Sequence, residues 1–178
     1  LEFRRVLFRS GMVKEVLLAT ARSVCSARER DLAVPSELLP SSLMAPHPLS
    51  LRLIRWVRLL SGSVGRSLKP EEVHLVVRAT HIQARFLSRR IEYETDGNHL
   101  IDNGVALVYA GALLGLTAEA SASGAVEKPA TGALGAPLSG SYLSDGARLM
   151  RHGTRLLLRE LPKQLLPGGA HVERSTMY

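Results

Sequence analysis

Residues 97–111, GNHLIDNGVALVYAG, predict the central helix against which the rest of the chain is expected to pack. Asp96 or Asn98 can serve as an N-cap, and the glycine between them eases the entry turn, so the stretch predicts the start of a helix. In the turns that follow, only Asp102 and Asn103 are strongly polar. A helix that is apolar nearly all round is expected to lie between other helices.

The apolar run at the centre of this helix extends from Gly104 to Leu116, which is 13 residues. A helix needs about 20 apolar residues to cross a bilayer. We therefore expect a buried helix and no membrane partner.

Asn98 and His99 place an amide beside an imidazole where a polar segment meets the apolar run. One interpretation is structural: Asn98 caps the helix and His99 is bonded to solvent or to a neighbour. The other is that the pair is a functional site. The residues alone leave both interpretations open.

Residues 50–60 predict an amphipathic helix whose inner face includes the single tryptophan, Trp56. We expect Trp56 to pack in the core rather than to bind a ligand. Arg52, Arg55 and Arg58 are predicted to lie outside.

Pro70, Glu71 and Glu72 predict the start of the next helix, because proline suits the first turn and carboxylates suit its positive end. His74 and His81 are seven residues apart, but no third ligand stands at a suitable spacing, so a metal site is not expected. The predicted buried stripe consists of Val73, Val77, Thr80, Ala84, Leu87 and Ile91.

A last helix is predicted from Gly146, with Met150, Leu157 and Leu161 facing inward and Pro162 kinking or ending it. Another face carries a positively charged row that Glu160 and solvent ions would balance. This basic row consists of Arg151, Arg155, Arg159 and Lys163.

The remaining segments predict weaker structure. Residues 1–10, LEFRRVLFRS, look like a translated cloning scar and are set aside. Residues 11–49 are expected to be a lead-in with a marginal helix at 13–30 and a proline-rich extended linker. Residues 117–145 are rich in Ala, Ser, Gly and Pro and are expected to be a flexible insertion within a helical unit spanning 50–178.

No segment has a useful strand pattern, so the predicted class is all-α, built from antiparallel helix pairs. The formal charge of +7 and pI of about 10.2 favour an anionic partner. Nucleic acid is not expected, because helix-turn-helix, zinc and RNA-recognition signatures are missing from the sequence and aromatic residues make up only 4%. The single Cys25 excludes an internal disulfide.

Three blocks together resemble the N-terminal helical domain of the heparinase II/III family of polysaccharide lyases. The first is SLRLIRW at 50–56. The second runs from Gln83 to Glu92 and through 97–111. The third includes Arg159-Glu160-Leu161-Pro162, Gln164, Leu166-Pro167 and Gly169, and ends in His171, Glu173-Arg174-Ser175 and Met177-Tyr178.

The resemblance implies a partial α/α toroid, with later helices and a C-terminal β-sandwich domain lying outside this chain. It implies cleavage of an acidic polysaccharide that contains uronic acid, by β-elimination and without a cofactor, in the periplasm or outside the cell. The chain alone is then expected to have little or no lyase activity.

Asn98 and His99 match the family position that hydrogen-bonds the substrate carboxylate. Tyr178 matches the tyrosine that donates a proton to the leaving oxygen. Three further residues of the third block are expected to contact substrate: His171, Glu173 and Arg174. Gly168, Val172 and Thr176 depart from the family pattern, so the loop that carries Tyr178 is expected to be held less rigidly.

The alternative function is a basic helical module that binds an anionic polymer without chemistry. It would use the basic row and the arginines at 85–90.

Overall fold

Every regular element in the computed structural model is a helix, within the residues that it describes: 2–30, 44–94, 97–123 and 141–164. The predicted all-α class is therefore confirmed, whereas the toroid arrangement stays a prediction. The helices are α1 (Glu2–Arg30), α2 (Pro46–Ser61), α3 (Ser63–Arg66), α4 (Pro70–Leu87), α5 (Asn98–Ala122) and α6 (Ser141–Gln164).

Helices α5 and α6 form an antiparallel pair with a glycine seam, defined here as Gly104, Gly111, Gly146 and Gly153. Gly111 lies against Gly146, and Gly104 lies against Gly153. A Cβ added to Gly111 would come within 2.6 Å of the Gly146 carbonyl oxygen, and one added to Gly146 within 2.8 Å of the Gly111 carbonyl oxygen. Since both spacings are seven residues, the glycines recur on one face of each helix and bring the two backbones together.

Helix α4 joins two apolar clusters, because different faces of it enter each of them. Val77, Ala84 and Leu87 belong to the larger cluster, which joins α2, α4, α5 and α6. Val76 and Ala79 belong to the smaller one, together with Trp56 and residues of α1. Trp56 is 5% exposed, so its predicted core position is confirmed.

The start of α4 follows the predicted pattern. Pro70 lies at its first position, and Glu71 and Glu72 lie in its first turn. The Glu72 carboxylate accepts a hydrogen bond from the Lys69 backbone N–H at 2.8 Å and pairs with Lys14 of α1 at 2.8 Å. The helix ends at Leu87, four residues before the predicted stripe ends.

The N-terminal half contains more helix than the sequence predicts. Residues 13–30 are not a marginal element but the larger part of the 29-residue α1, which extends back through the segment set aside as a scar. Leu17, Leu18 and Ala21 are buried against α4 and α3, and this burial stabilises a helix that the sequence pattern alone supports weakly.

Helix α2 begins at Pro46, inside the predicted linker, because proline is favoured in a first turn. Arg52 does not lie outside as predicted. Its side chain is half-buried and its Nε donates a hydrogen bond to Gln83 Oε1 of α4 at 2.6 Å. Arg55 and Arg58 are exposed, as predicted.

Helix α5 extends well beyond the 13 residues counted from sequence. Its Asn98–Ala120 portion has a mean hydropathy of 1.5, and α5 is the one helix in the described ranges that is long and apolar enough to cross a membrane by length and composition. The length argument against a span is therefore wrong, although a core helix of a soluble protein meets the same two criteria. The predicted insertion is shorter than 117–145, since α5 reaches Ala122 and α6 begins at Ser141.

The buried face of α6 differs from the predicted one. Met150 and Leu161 are 38% and 39% exposed, and the helix continues two residues past Pro162. The face that is buried consists of Tyr142, Gly146, Leu149, Gly153, Leu156, Glu160 and Gln164. Of the predicted inner residues, Leu157 is partly buried, and the side chains of Leu157 and Met150 lie beside Gly104 and Gly111 of α5. The glycines that make the closest backbone contact were not predicted.

Candidate functional site

The candidate site lies at the N-terminal end of α5. Gly97 is the residue before the helix and has φ = 97°, a backbone conformation that glycine adopts without strain. Asn98 is consequently the first helical residue and not the N-cap, which corrects that part of the prediction. The first-turn N–H groups of α5 have no carbonyl of their own helix to bond, and they carry its partial positive charge.

His99, the second residue of α5, has its imidazole between a carboxylate and a second imidazole. Its Nδ1 lies 3.3 Å from Glu92 Oε2 in the segment that precedes the helix. Its ring stacks on the ring of His47 from α2, with centroids 3.9 Å apart and planes 9° from parallel. The His99 side chain is 41% exposed, so a molecule from solvent can reach it.

His47 is itself held by α5. Its Nε2 lies 3.0 Å from Asp102 Oδ2, and Asp102 follows His99 by three residues on the same face of the helix. The paired contacts therefore run Glu92 to His99 to His47 to Asp102. We call these four residues the imidazole cluster.

The imidazole cluster leaves one ring nitrogen of His99 available. Within the described ranges, Nδ1 faces Glu92 and no side chain bonds Nε2. The Glu92 carboxylate limits the ring by its proximity at 3.3 Å, although Nδ1 and Glu92 Oε2 do not form a hydrogen bond, and either nitrogen of a neutral ring can carry the proton. Nε2 can then accept a proton in the neutral ring or donate one in the protonated ring.

Asn103 is buried and is hydrogen-bonded to the backbone of the first turn of α5. It is 0% exposed, and its Nδ2 donates a hydrogen bond to the His99 carbonyl oxygen at 2.6 Å. Its Oδ1 is buried and meets no donor in the described part of the chain. Buried polar atoms normally have a hydrogen-bond partner, so this oxygen is an acceptor whose donor is missing from the described residues.

A buried carboxylate from α6 lies at the same end of the helix pair. Gly104 lies against Gly153, and the two helices are antiparallel. Gly97 precedes Gly104 by seven residues and Glu160 follows Gly153 by seven, so Glu160 and Gly97 lie at the same end of the helix pair. Glu160 is 1% exposed. It accepts hydrogen bonds from Arg159 Nε at 2.6 Å and from Lys163 Nζ at 3.1 Å.

The basic row on α6 is thus only partly balanced. Arg159 and Lys163 are engaged by Glu160, and the Arg159 guanidinium also lies over the Tyr93 ring at 5.1 Å. Arg151 and Arg155 are exposed and have no anionic partner among the described residues.

A second ionic cluster joins α4 to α6, away from His99. His81 Nε2 lies 2.7 Å from Asp145 Oδ2, and Arg148 donates to Asp145 Oδ1 at 2.8 Å. Burial lowers the pKa of His81 although Asp145 opposes it. Burial alone would raise the pKa of Asp145, but the hydrogen bond from His81 and the nearby arginines outweigh it, so the pKa lies below its ordinary value. The described residues contain no group of three or more His, Cys, Asp or Glu that could hold a metal ion.

The structure places Asn98 and His99 side by side in the first turn of α5, as the sequence predicts. The other four predicted site residues, Tyr178, His171, Glu173 and Arg174, lie outside the described residues. Sequence reasoning missed His47, Glu92 and Asp102. Asp102 could have been found from its spacing of three to His99, but His47 is 52 residues away, and no local pattern connects them.

No protein-family model matches the chain, and neither the curated proteins nor the solved structures include a match to it.

Proposed function

We propose that this chain supplies the carboxylate-binding part of a polysaccharide lyase that cleaves a uronic-acid polymer by β-elimination. One observation carries the proposal: Asn98 and His99 occupy the first turn of α5, and His99 is held by the imidazole cluster with Nε2 open. The proposal also rests on the family resemblance of the sequence blocks.

The chemistry requires hydrogen-bond donors at the substrate carboxylate. In β-elimination a base removes the proton on C5 of the uronic acid, the C4–oxygen bond breaks, and a C4–C5 double bond forms. The C5 proton lies beside a carboxylate, so its removal adds negative charge to an anionic group. Donors aimed at that charge lower the barrier, and losing one such donor typically costs about 10²- to 10³-fold in rate.

The start of α5 offers such donors. The Asn98 amide and the His99 Nε2 are groups of the kind that can donate to a carboxylate, and the first turn lies at the partially positive end of the helix. In this proposal Tyr178 protonates the leaving oxygen, and His171, Glu173 and Arg174 contact neighbouring sugars. A lyase of this kind would act in the periplasm or outside the cell.

A second function is favoured by a different observation. Arg151 and Arg155 are exposed and lack anionic partners among the described residues, so α6 can attract a polyanion without chemistry. The basic row would then be the binding surface of a non-catalytic module.

The test uses the longest polypeptide that contains this chain. Heparan sulfate, heparin, hyaluronan and alginate are supplied separately, and the absorbance of the C4–C5 double bond is followed. We expect product from one polymer, a rate reduced about 10²-fold or more by Asn98→Ala, and no product from Tyr178→Phe. Thr154→Ala, at an exposed position of α6, is the control and should retain the rate.

Binding of the same four polymers separates the two functions. Asn98→Ala should keep most of the binding, whereas Arg151→Glu with Arg155→Glu should weaken it. A polypeptide that binds a polymer but forms no double bond with any of them would support the binding module instead. Absence of both binding and product would contradict both functions.

A further inference from the structure

We propose that His47 is a positioning residue for His99, which fixes the plane of the His99 imidazole by stacking on it. The inference rests on the proposed function for its catalytic consequence. It adds a residue from a different helix, 52 positions earlier in the sequence, to the site at the start of α5.

The stacking geometry is the first reason. The two rings lie 3.9 Å apart and 9° from parallel, which is van der Waals contact over a whole ring face. A histidine at the second position of a helix can otherwise turn about both of its side-chain bonds. Contact with His47 over one face restricts that rotation, and Glu92 Oε2 lies 3.3 Å from Nδ1 without forming a hydrogen bond to it, so the stacking is the contact that sets the plane of the ring.

The support behind His47 is the second reason. Its ring cannot turn freely, because Asp102 holds Nε2 at 3.0 Å. Its backbone lies in the first turn of α2, where Leu49 and Ser50 are both 0% exposed and Ser50 Oγ donates to the Pro46 carbonyl oxygen at 2.8 Å. Packing between α2 and α5 therefore determines where this imidazole stands.

The third reason is that two residues of α5 contact the His47 ring. His99 and Asp102 lie one turn apart and contact the same ring, one at its face and one at its edge. Only a flat side chain with a polar edge can make both contacts. A role in stability alone would not require the ring face of His47 to cover the ring of His99.

The test measures the His99 ring directly by NMR of the full chain with labelled histidine, at a pH where the imidazoles are neutral. A stacked ring shields the protons above it, so His47→Leu should move the His99 ring-proton signals downfield. His47→Phe keeps a flat ring and should restore most of the shielding. Asp102→Asn should loosen His47 and give an intermediate shift. His152→Leu, on α6, is the control and should leave the His99 signals unchanged.

Activity provides the second measurement. In the lyase assay His47→Leu should lower kcat about tenfold or more with little change in KM, because a misplaced catalytic group slows the chemical step more than it weakens binding. His47→Phe should recover part of kcat.

Two results would overturn the proposal: His99 signals that stay in place in a folded His47→Leu variant, or a Phe variant that does not differ from Leu. The NMR result does not depend on turnover. If the longest polypeptide that contains this chain has no lyase activity, the proposed function is contradicted, and the positioning of His99 is still decided by its ring signals.

Discussion

Glu160 is a buried carboxylate held by two cationic side chains of its own helix. Burial raises the pKa of its carboxyl, but the hydrogen bonds and charges of Arg159 and Lys163 outweigh burial, so the pKa lies below its ordinary value. The carboxylate is therefore ionised while 1% exposed. It pairs with two of the four cations of the basic row and lies at the end of the helix pair where the candidate site lies.

We predict that Glu160→Gln destabilises the chain by about 1–3 kcal/mol, because two cationic donors lose the anion that they share. The side chain keeps its size, so the loss would report charge rather than a cavity. Urea denaturation measures the free energy of unfolding. Glu119→Gln is the matched control: Glu119 is exposed near the other end of α5 and should change stability by no more than about 0.5 kcal/mol. Equal effects of the two variants would contradict the role given to Glu160.

For single residues, the sequence predicts the environment correctly where that environment depends on neighbours along the chain. Trp56 on a helical stripe, Pro70 in a first turn and Glu160 as a partner of the basic row were all predicted correctly. Arg52 and His47 were not, since their environments depend on residues of α4 and α5 that approach only when the chain folds.

The glycine seam determines how α5 and α6 meet. Helix contacts usually place larger side chains between axes 8–10 Å apart, whereas here the Cα atoms of Gly104, Gly111, Gly146 and Gly153 face the opposite backbone. The sequence prediction assigned the inner face of α6 from its leucines and methionine. It was incomplete because small residues, which carry no hydrophobic signal, form the closest backbone contact, while Met150 and Leu157 lie beside it.

We predict that Gly111→Ala destabilises the chain by about 1–3 kcal/mol, because the new methyl group meets the Gly146 carbonyl oxygen and the Met150 backbone, which can yield only if the helices separate. Gly115, one turn later on α5, is the control. Nothing lies within 4 Å of a Cβ placed there, so Gly115→Ala should raise stability by up to about 1 kcal/mol through helix propensity. Thermal and urea unfolding of both variants give the comparison; a neutral Gly111→Ala would mean that the helices are not in this contact.

For the molecule as a whole, four buried or half-buried ionisable groups make stability depend on pH in the same direction. Burial lowers the pKa of His81 and His152 below 6.5, and Arg155 adds to the effect at His152. The unfolded chain therefore binds protons that the folded chain does not, and stability falls as pH drops through and below about 6.5. The paired carboxylates Asp145 and Glu160 have pKa values below 3.8 and 4.5, so their contribution is lost at still lower pH.

We predict two stages of acid destabilisation in urea midpoints measured from about pH 7.5 downward. His81→Gln combined with His152→Gln should flatten the first stage and retain the second. Glu160→Gln should have the opposite effect, weakening the low-pH stage only. A single stage confined to the carboxyl range would show that the two histidines do not titrate differently on folding.

The whole-molecule arrangement was the hardest part to predict. Helical periodicity in 50–60 and 70–87 and the apolar run of α5 gave the all-α class, because each pattern is local. The pairing of α1 with α4 was missed, since α1 has a weak pattern and is stabilised by burial of Leu17, Leu18 and Ala21 against other helices. The helix start at Asn98 and His99 was predicted from sequence, and their role in a site stays a prediction; the contact between His99 and His47 could not be predicted, because it requires α2 and α5 to be side by side.

The seam also determines where this chain can change length during evolution. Inserting one residue between Gly104 and Gly111 would turn the second glycine about 100° away from α6 and place a side chain against a carbonyl. Residues can be gained or lost between α5 and α6 without that effect, because the seven-residue spacing on each helix sets the register independently of the connection. Related chains should therefore keep both glycine spacings while their interhelical connections differ in length.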